Sequence, residues 1–265
     1  MEIRDILDRS HYMWPSYLIN LADNVERFAR SQAQFRAAGI PFARIDGVNG
    51  WRLTEDEIQR VYDARRATRP LVPPEIGCYL SHVAAWETVA AADPPGGFIF
   101  EDDFLAGPSL AAVLEELSVD SGPWDIVKLF TLRPEARWLA QRPLGREHRL
   151  VTPFRVPTCL LGYAIRKETA ARLAQQSVPF FRPVDEDQKF YWEKSLRVGL
   201  VLPAPLVVGD QQTQTGTIGD ARRAARKGKT PDLAKLARGI RYQTHYKTAL
   251  WFHRLLDRLR GGFEC

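Results

Sequence analysis

Short apolar runs alternate with helix-length segments along most of this chain, and that alternation constrains its fold more than any other feature. Tyr17 to Leu21 reads as a buried strand, followed by Asp23 or Asn24 as helix cap and a helix from Val25 to Ala38 that stops at Gly39. Phe42 to Ile45 is a second strand, broken by the turn-forming Asp46-Gly-Val-Asn-Gly50. Thr54 and Glu57 have capping-box spacing, which predicts a helix to about Arg66. After the proline-rich Pro70 to Pro74 a helix is expected from Glu75 to Ala92. Further strands are expected at Phe98 to Phe100, Asp125 to Phe130, Cys159 to Ile165 and Leu200 to Leu202. Helices are expected at Ser109 to Leu117, Lys167 to Gln176 and Glu186 to Arg197. This order predicts an α/β fold with a largely parallel sheet covered by helices on both faces.

With 265 residues, 45% of them hydrophobic, the chain can bury a sizeable core and is not intrinsically disordered over most of its length. Its three cysteines, Cys78, Cys159 and Cys265, form no CxxC pair and indicate neither a disulfide scaffold nor a structural zinc site. A reducing compartment, the cytoplasm, is the expectation. Charged residues crowd the first 17 positions where a signal peptide would be apolar, and the run Val198 to Gly209 is too short to span a bilayer. The net charge of +5 is uneven: Gly219 to Cys265 holds twelve Lys or Arg against four Asp or Glu, leaving residues 1 to 218 at −3. The composition shifts after Gly209, so the expected division is a lead segment 1–15, a main domain 16–210 and a basic extension 211–265.

Glu101-Asp102-Asp103 follows the apolar strand Phe98-Ile-Phe100 directly, with no neighbouring base in sequence to compensate three adjacent carboxylates. Such a cluster repels itself unless a cation sits among its members. At the carboxyl end of a strand in an α/β sheet, hard oxygen donors suit Mg²⁺ or Mn²⁺ carrying a diphosphate. On its own an acidic triplet is more often a solvated turn; the apolar strand leading into it favours a ligand site. Asp185-Glu186-Asp187 opens a candidate helix, where acids first of all complement the helix dipole; the sharper alternative is a general base that takes a proton from a sugar hydroxyl. His82, on the apolar face of Ile76, Tyr79, Leu80 and Val83, reads first as a hydrogen-bonded structural histidine. GxSxG, GxGxxG and GxxxxGK[ST] are absent, which weakens readings as a serine hydrolase, a dinucleotide oxidoreductase or a P-loop enzyme.

Taken in order, Tyr17-Leu-Ile-Asn-Leu21 with Glu26-Arg27, Ile45-Asp-Gly47, Glu75-Ile-Gly-Cys-Tyr-Leu-Ser-His82, Phe100-Glu-Asp-Asp103, Gly162-Tyr-Ala-Ile165 and Pro183-Val-Asp185 resemble glycosyltransferase family 25 over roughly residues 16 to 210. That family includes bacterial lipopolysaccharide galactosyltransferases and collagen galactosyltransferases. The resemblance implies a GT-A type nucleotide-binding fold with a mixed, mostly parallel central sheet, here followed by a basic helical extension. It also implies a UDP-sugar donor, UDP-galactose first, and inversion at the anomeric carbon. On the family motifs, Glu101, Asp102 and Asp103 would hold Mn²⁺ (or Mg²⁺) and the diphosphate, with Glu101 and Asp103 as the metal ligands. Asn20, Leu21 and Arg27 match a motif where nucleotide contact is expected. Asp46, Glu75, Ser81 and His82 fall on motif positions open to either binding or structural roles. Asp185 is the first choice of catalytic base and Asp187 the second, the extra acids Glu186 and Asp187 being a departure from many relatives.

The acceptor implied is a glycan or lipid-linked saccharide. Lys247 to Arg260 carries Leu250, Trp251, Leu255 and Leu259 on one stripe with Arg254 and Arg258 mostly off it. Three readings of this basic tail stand: a solvated face, a peripheral helix on an anionic membrane at the inner face of the plasma membrane, or a helix packed on the main domain or a second subunit. Two rivals to an active transferase are a silent relative that binds nucleotide sugar or glycan without turnover, and a metal-dependent phosphodiesterase gripping nucleic acid with the tail. No nucleic-acid partner is expected, because no basic-aromatic interleaving accompanies the charge.

Overall fold

The computed structural model describes residues 13–209, 217–226 and 233–259. The start of the lead segment, the polar Gln211 to Gly216 stretch, Arg260 and Cys265 lie outside the described residues.

Eight strands form one sheet in the order β2-β1-β3-β8-β5-β9-β7-β6. The strands are β1 (Ser16–Asn20), β2 (Phe42–Asp46), β3 (Gly96–Glu101), β5 (Ile126–Lys128), β6 (Trp138–Leu144), β7 (His148–Pro153), β8 (Gly162–Arg166) and β9 (Val198–Leu202). Following the pairings across the sheet, six strands point the same way and only β7 and β8 are reversed. The sheet is therefore mixed, with most strands pointing one way and three of seven pairings parallel, in the expected α/β class. A second, two-stranded ribbon pairs β4 (Phe104–Ala106) with β10 (Leu206–Val208).

Alternation along the strands divides the core in two. Tyr17 and Ile99 face one layer and Leu18, Phe98 and Phe100 the other. The first layer takes the apolar side of α3 (Pro73–Ala91) through Ile76, Tyr79, Val83, Trp86 and Val89, together with Ala170 and Leu173 of α5 (Lys167–Gln176). The second takes Phe35 of α1 (Val25–Ala37) and Leu110, Val113, Leu114 and Leu117 of α4 (Leu110–Val119). Helix starts follow their local chemistry: Asn24 caps α1, and Thr54 and Glu57 close a capping box on α2 (Glu55–Val61). In α3, Pro73 occupies the first turn and Glu75 reaches back to the Val72 N–H at 2.9 Å.

Two expectations are corrected and one element is added. The helix from Thr54 stops at Val61 rather than Arg66. Glu186 to Arg197 is not one helix but a single turn, α6 (Val184–Asp187), and a 3₁₀ segment, Gln188–Lys194, broken by Phe190 at φ −92°, ψ 47° and ended by Ser195 in the left-handed region. The β6–β7 hairpin, turning at Gly145 with φ +61°, extends the sheet past β9 without a sequence signal read beforehand.

Beyond the sheet come α7 (Thr217–Arg226) and α8 (Leu233–Leu259). Helix α8 packs on the body through buried Tyr246, Leu250 and Arg254. The Arg254 guanidinium donates to the Pro153 and Phe154 carbonyls at 2.6 and 3.1 Å and lies 4.1 Å over the Tyr191 ring. Of the three readings of the tail, packing against the main body is what this helix shows. The stripe is nonetheless split: Leu250 is buried, whereas Trp251, Phe252, Leu255 and Leu259 are exposed. Among the described residues no helix is long and apolar enough to cross a membrane.

Candidate active site

Register assembles the site. Pairing of Asn20 with Asp46 and of Ile19 with Glu101 sets three strand ends side by side at the carboxyl edge of the sheet, where open α/β folds hold their ligands. A cleft of about 500 Å³ opens there, walled by Asn20, Leu21 and Arg27, by the loop Gly47–Trp51, by Cys78, Ser81 and His82 of α3, and by Glu101 to Asp103. The loop closes onto α3 because Gly77 lacks a side chain; a Cβ there would lie 2.3 Å from the Val48 carbonyl oxygen. Ser81 fastens the same wall, its hydroxyl accepting from the Val48 N–H at 2.8 Å and donating to the Gly77 carbonyl at 2.7 Å. Asp46, although at the sheet edge, turns away: its side chain is 81% exposed and pairs with Arg44.

The three acids are not equivalent. Asp102 is buried with both oxygens engaged, one by the Arg27 guanidinium at 2.6 Å and one by the Asn20 amide at 2.6 Å. Burial nevertheless raises its pKa, outweighing Arg27 and Asn20. Asp103 lies 3.4 Å from the same guanidinium. The cation that three adjacent carboxylates demand is thus supplied in part by Arg27, one turn into α1. Asn20 is 1% exposed, and its Oδ1 has no hydrogen-bond partner among the described residues, leaving an acceptor at the cleft wall.

Glu101 belongs to a relay. Trp86 Nε1 donates to the Tyr163 hydroxyl at 2.8 Å, that hydroxyl lies 2.9 Å from His82 Nδ1, and His82 Nε2 lies 3.1 Å from Glu101 Oε1. The carboxylate can only accept, so His82 Nε2–H donates to Glu101, and the ring links that carboxylate to the Tyr163 hydroxyl and the Trp86 indole. Burial works against the Glu101 carboxylate, but the His82 hydrogen bond and charge, with Arg27 and Lys128, hold its pKa below the usual range. His82 therefore serves Glu101 from a buried position.

Among the described residues the one group placing three metal-ligating atoms within 4.8 Å of one another is Cys78, His82 and Glu101, not the acidic triplet. Asp102 is committed to Arg27 and Asn20. Glu101 and Asp103 both line the cleft, and one or two carboxylates with substrate phosphates are a normal Mg²⁺ or Mn²⁺ donor set, so these two residues fit such an ion.

The second acidic group divides as sharply. Asp187 accepts from the Tyr79 hydroxyl at 2.8 Å and faces Arg182 at 3.1 Å and Lys194 at 3.8 Å, which ties it into the packing of α3 on α6. Glu186 accepts from the Tyr242 hydroxyl of α8 at 3.2 Å. Asp185 is half-buried and is not among the residues that line the cleft; burial, then Glu186 and Glu101, raise its pKa against the pull of Lys128 and Arg222. Lys128 was not singled out from sequence. It is wholly buried at the end of β5, donates to the Cys159 carbonyl at 3.2 Å, and burial lowers its pKa to about 8 despite Cys159, Asp185 and Glu101. Cys159 holds a φ of +81°, a strained setting for a residue with a side chain. A lone lysine inside the apolar run Asp125 to Phe130 was the available signal.

At its strand ends this α/β body gathers carboxylates, a guanidinium and a buried imidazole around one cleft. The model of glycosyltransferase family 25 (LPS biosynthesis protein) matches residues 13–187. This chain belongs to that family. It is 28% identical over 184 residues to a human protein named inactive glycosyltransferase 25 family member 3, covering 64% of this chain and 30% of that one. It is 25% identical over 190 residues to procollagen galactosyltransferase 1-A of Xenopus laevis, covering 67% and 31%. With the lacto-N-neotetraose biosynthesis glycosyltransferase LgtB of Neisseria gonorrhoeae it shares 28% identity over 124 residues, covering 47% and 44%. The chain thus spans under a third of the length of the first two relatives and under half of the third.

Proposed function

We propose that the chain transfers a hexose, galactose in the first instance, from a UDP-sugar to a glycan or lipid-linked saccharide acceptor with inversion, on a GT-A type body. The observation that carries this reading is the cleft at the carboxyl edge of the sheet, lined by Glu101, which His82 Nε2 meets at 3.1 Å, and by Asp103, with the half-buried Asp185 of α6 near enough for Glu101 to add to the burial that raises its pKa. Inversion is a single displacement: the acceptor oxygen attacks the anomeric carbon as the bond to the diphosphate oxygen breaks. Asp185 takes the acceptor proton. Its raised pKa makes it a stronger base than an ordinary aspartate. A Mn²⁺ or Mg²⁺ ion held by Glu101 and Asp103 would supply charge neutralisation for the departing UDP. Asn20 and Leu21 border the nucleotide, and the free acceptor at Asn20 Oδ1 suits a ribose or base donor group. Asp102 acts indirectly, fixing Arg27 and Asn20.

The silent-relative reading has one specific observation in its favour, the Arg27 guanidinium standing on Asp102 and beside Asp103, in a family where a human relative is named inactive. Incubating the protein with a panel of UDP-sugars, with and without Mn²⁺, separates the two. Metal-dependent release of UDP from one sugar supports the transferase; binding of UDP without release from any sugar, with or without an oligosaccharide acceptor, supports the silent relative. For a lipid-linked acceptor, the exposed Trp251, Phe252, Leu255 and Leu259 side of α8, with the cationic Arg258, is the surface that would meet an anionic membrane.

A further inference from the structure

Ile218, Gly219 and Arg222 of α7 line the same cleft as Glu101 and Asp103, although they lie beyond residues 13–187 matched by the family. Arg222 Nε donates to Glu75 Oε1 at 2.6 Å. That carboxylate is already complete without it. Arg69 grips both oxygens, at 2.6 and 2.7 Å, and the Val72 N–H donates at 2.9 Å. Two guanidinium groups on one buried carboxylate leave a net positive charge at the rim of a cleft whose floor is acidic. Only two arginines belong to the cleft wall among the described residues. Arg27 is committed to Asp102, whereas Arg222 is more than a third exposed and leans on a group that keeps its other partner.

We propose that Arg222 is a diphosphate-binding residue delivered by α7, resting on Glu75 and transferring to the donor's phosphate oxygens when nucleotide enters. The inference rests on the UDP-sugar reading and extends it to the C-terminal segment. A diphosphate facing Glu101 and Asp103 needs cationic partners, and a planar guanidinium offers two parallel N–H groups to phosphate oxygens. The field of Arg222 already extends to Asp185, whose pKa it lowers. Glu75 then has two functions: it closes the first turn of α3 and keeps Arg222 at the cleft mouth.

The test is calorimetric titration of the full chain, wild type, Arg222→Ala and Arg222→Lys, with UDP, inorganic pyrophosphate and uridine in the presence of Mg²⁺. Arg222→Ala is expected to weaken UDP and pyrophosphate about 10- to 100-fold, the range of one lost charge-assisted hydrogen bond, and to leave uridine unchanged. Lysine, keeping charge but not the fork, should fall between. Glu75 keeps Arg69 and Val72, so the alanine variant is expected to melt close to wild type, which the same samples report. Equal UDP affinity in wild type and Arg222→Ala would overturn the inference and leave the donor reading intact. Parallel loss of UDP and uridine would also overturn it, showing that Arg222 only packs α7. Failure of the wild type to bind UDP or pyrophosphate would sink both.

Discussion

Asp185 and Asp187 are two residues apart in a single helical turn, and their surroundings predict opposite behaviour on replacement by asparagine. Asp187→Asn removes the negative partner of Arg182, which is 4% exposed, and weakens the acceptor for the Tyr79 hydroxyl. Arg182 keeps Glu193, so the loss is one charge-assisted contact rather than an abandoned buried cation, roughly 2–3 kcal/mol. At about 2–4 °C per kcal/mol for a body of this size, the melting temperature should fall by about 4–12 °C, with turnover of the remaining folded protein nearly intact. For Asp185→Asn the sign reverses. Burial raises the folded-state pKa of Asp185 above its unfolded value, so its favourable contribution is present at acidic pH and is lost as pH rises through the raised pKa. Above that pKa the ionised form opposes folding. The amide removes the opposition, so at neutral pH the variant should melt at or above the wild-type temperature. Its kcat should nevertheless drop by about 10²- to 10⁴-fold, the usual contribution of a general base. Differential scanning fluorimetry and UDP-release kinetics on the same preparations check both halves. A catalytically dead but thermally normal Asp187→Asn, beside an active Asp185→Asn, would refute the assignment.

Three further outcomes follow from the same geometry. Lys128→Met removes a cation that lowers the Asp185 pKa, so the acid limb of the kcat/KM profile should move to higher pH; an unmoved limb would separate Lys128 from the base. Arg254→Met breaks two hydrogen bonds to backbone carbonyls and should release α8, seen as faster hydrogen exchange along residues 242–257 with unchanged exchange in β1 and β3; unchanged exchange in α8 would contradict its docking by this residue. Co-sedimentation with anionic vesicles should decline when Trp251 and Phe252 are replaced by serine; no change would remove the membrane face from the proposal.

The strand-to-acid junction at Phe100-Glu101 was legible because apolar alternation and an abrupt run of carboxylates are both local signals. So were α1, α3 and α5, whose caps and apolar faces agree with their neighbours. What could not be read was pairing across distance. Arg27 stood on a motif where nucleotide contact is expected, but its ion pair with Asp102 depends on β1 and β3 lying side by side, and nothing local in Asp125 to Phe130 tells that Lys128 is enclosed against Cys159. Glu186 to Arg197 has helical periodicity, but the aromatic side chains Phe190, Tyr191 and Trp192 pack among α3 and α8 and bend the backbone out of a continuous helix. Arg222 was one member of a basic run; only the fold sets it on Glu75.

The central claim is that Glu101 and Asp103 hold a divalent ion against a nucleotide diphosphate in this cleft. Phosphorus NMR of UDP bound to the protein, titrated with substoichiometric Mn²⁺, addresses it directly. The account predicts strong paramagnetic broadening of both phosphorus resonances beyond that of free Mn–UDP in wild type, lost in Asp103→Asn. Broadening that is identical in wild type and variant, or no bound UDP signal to broaden, would contradict it.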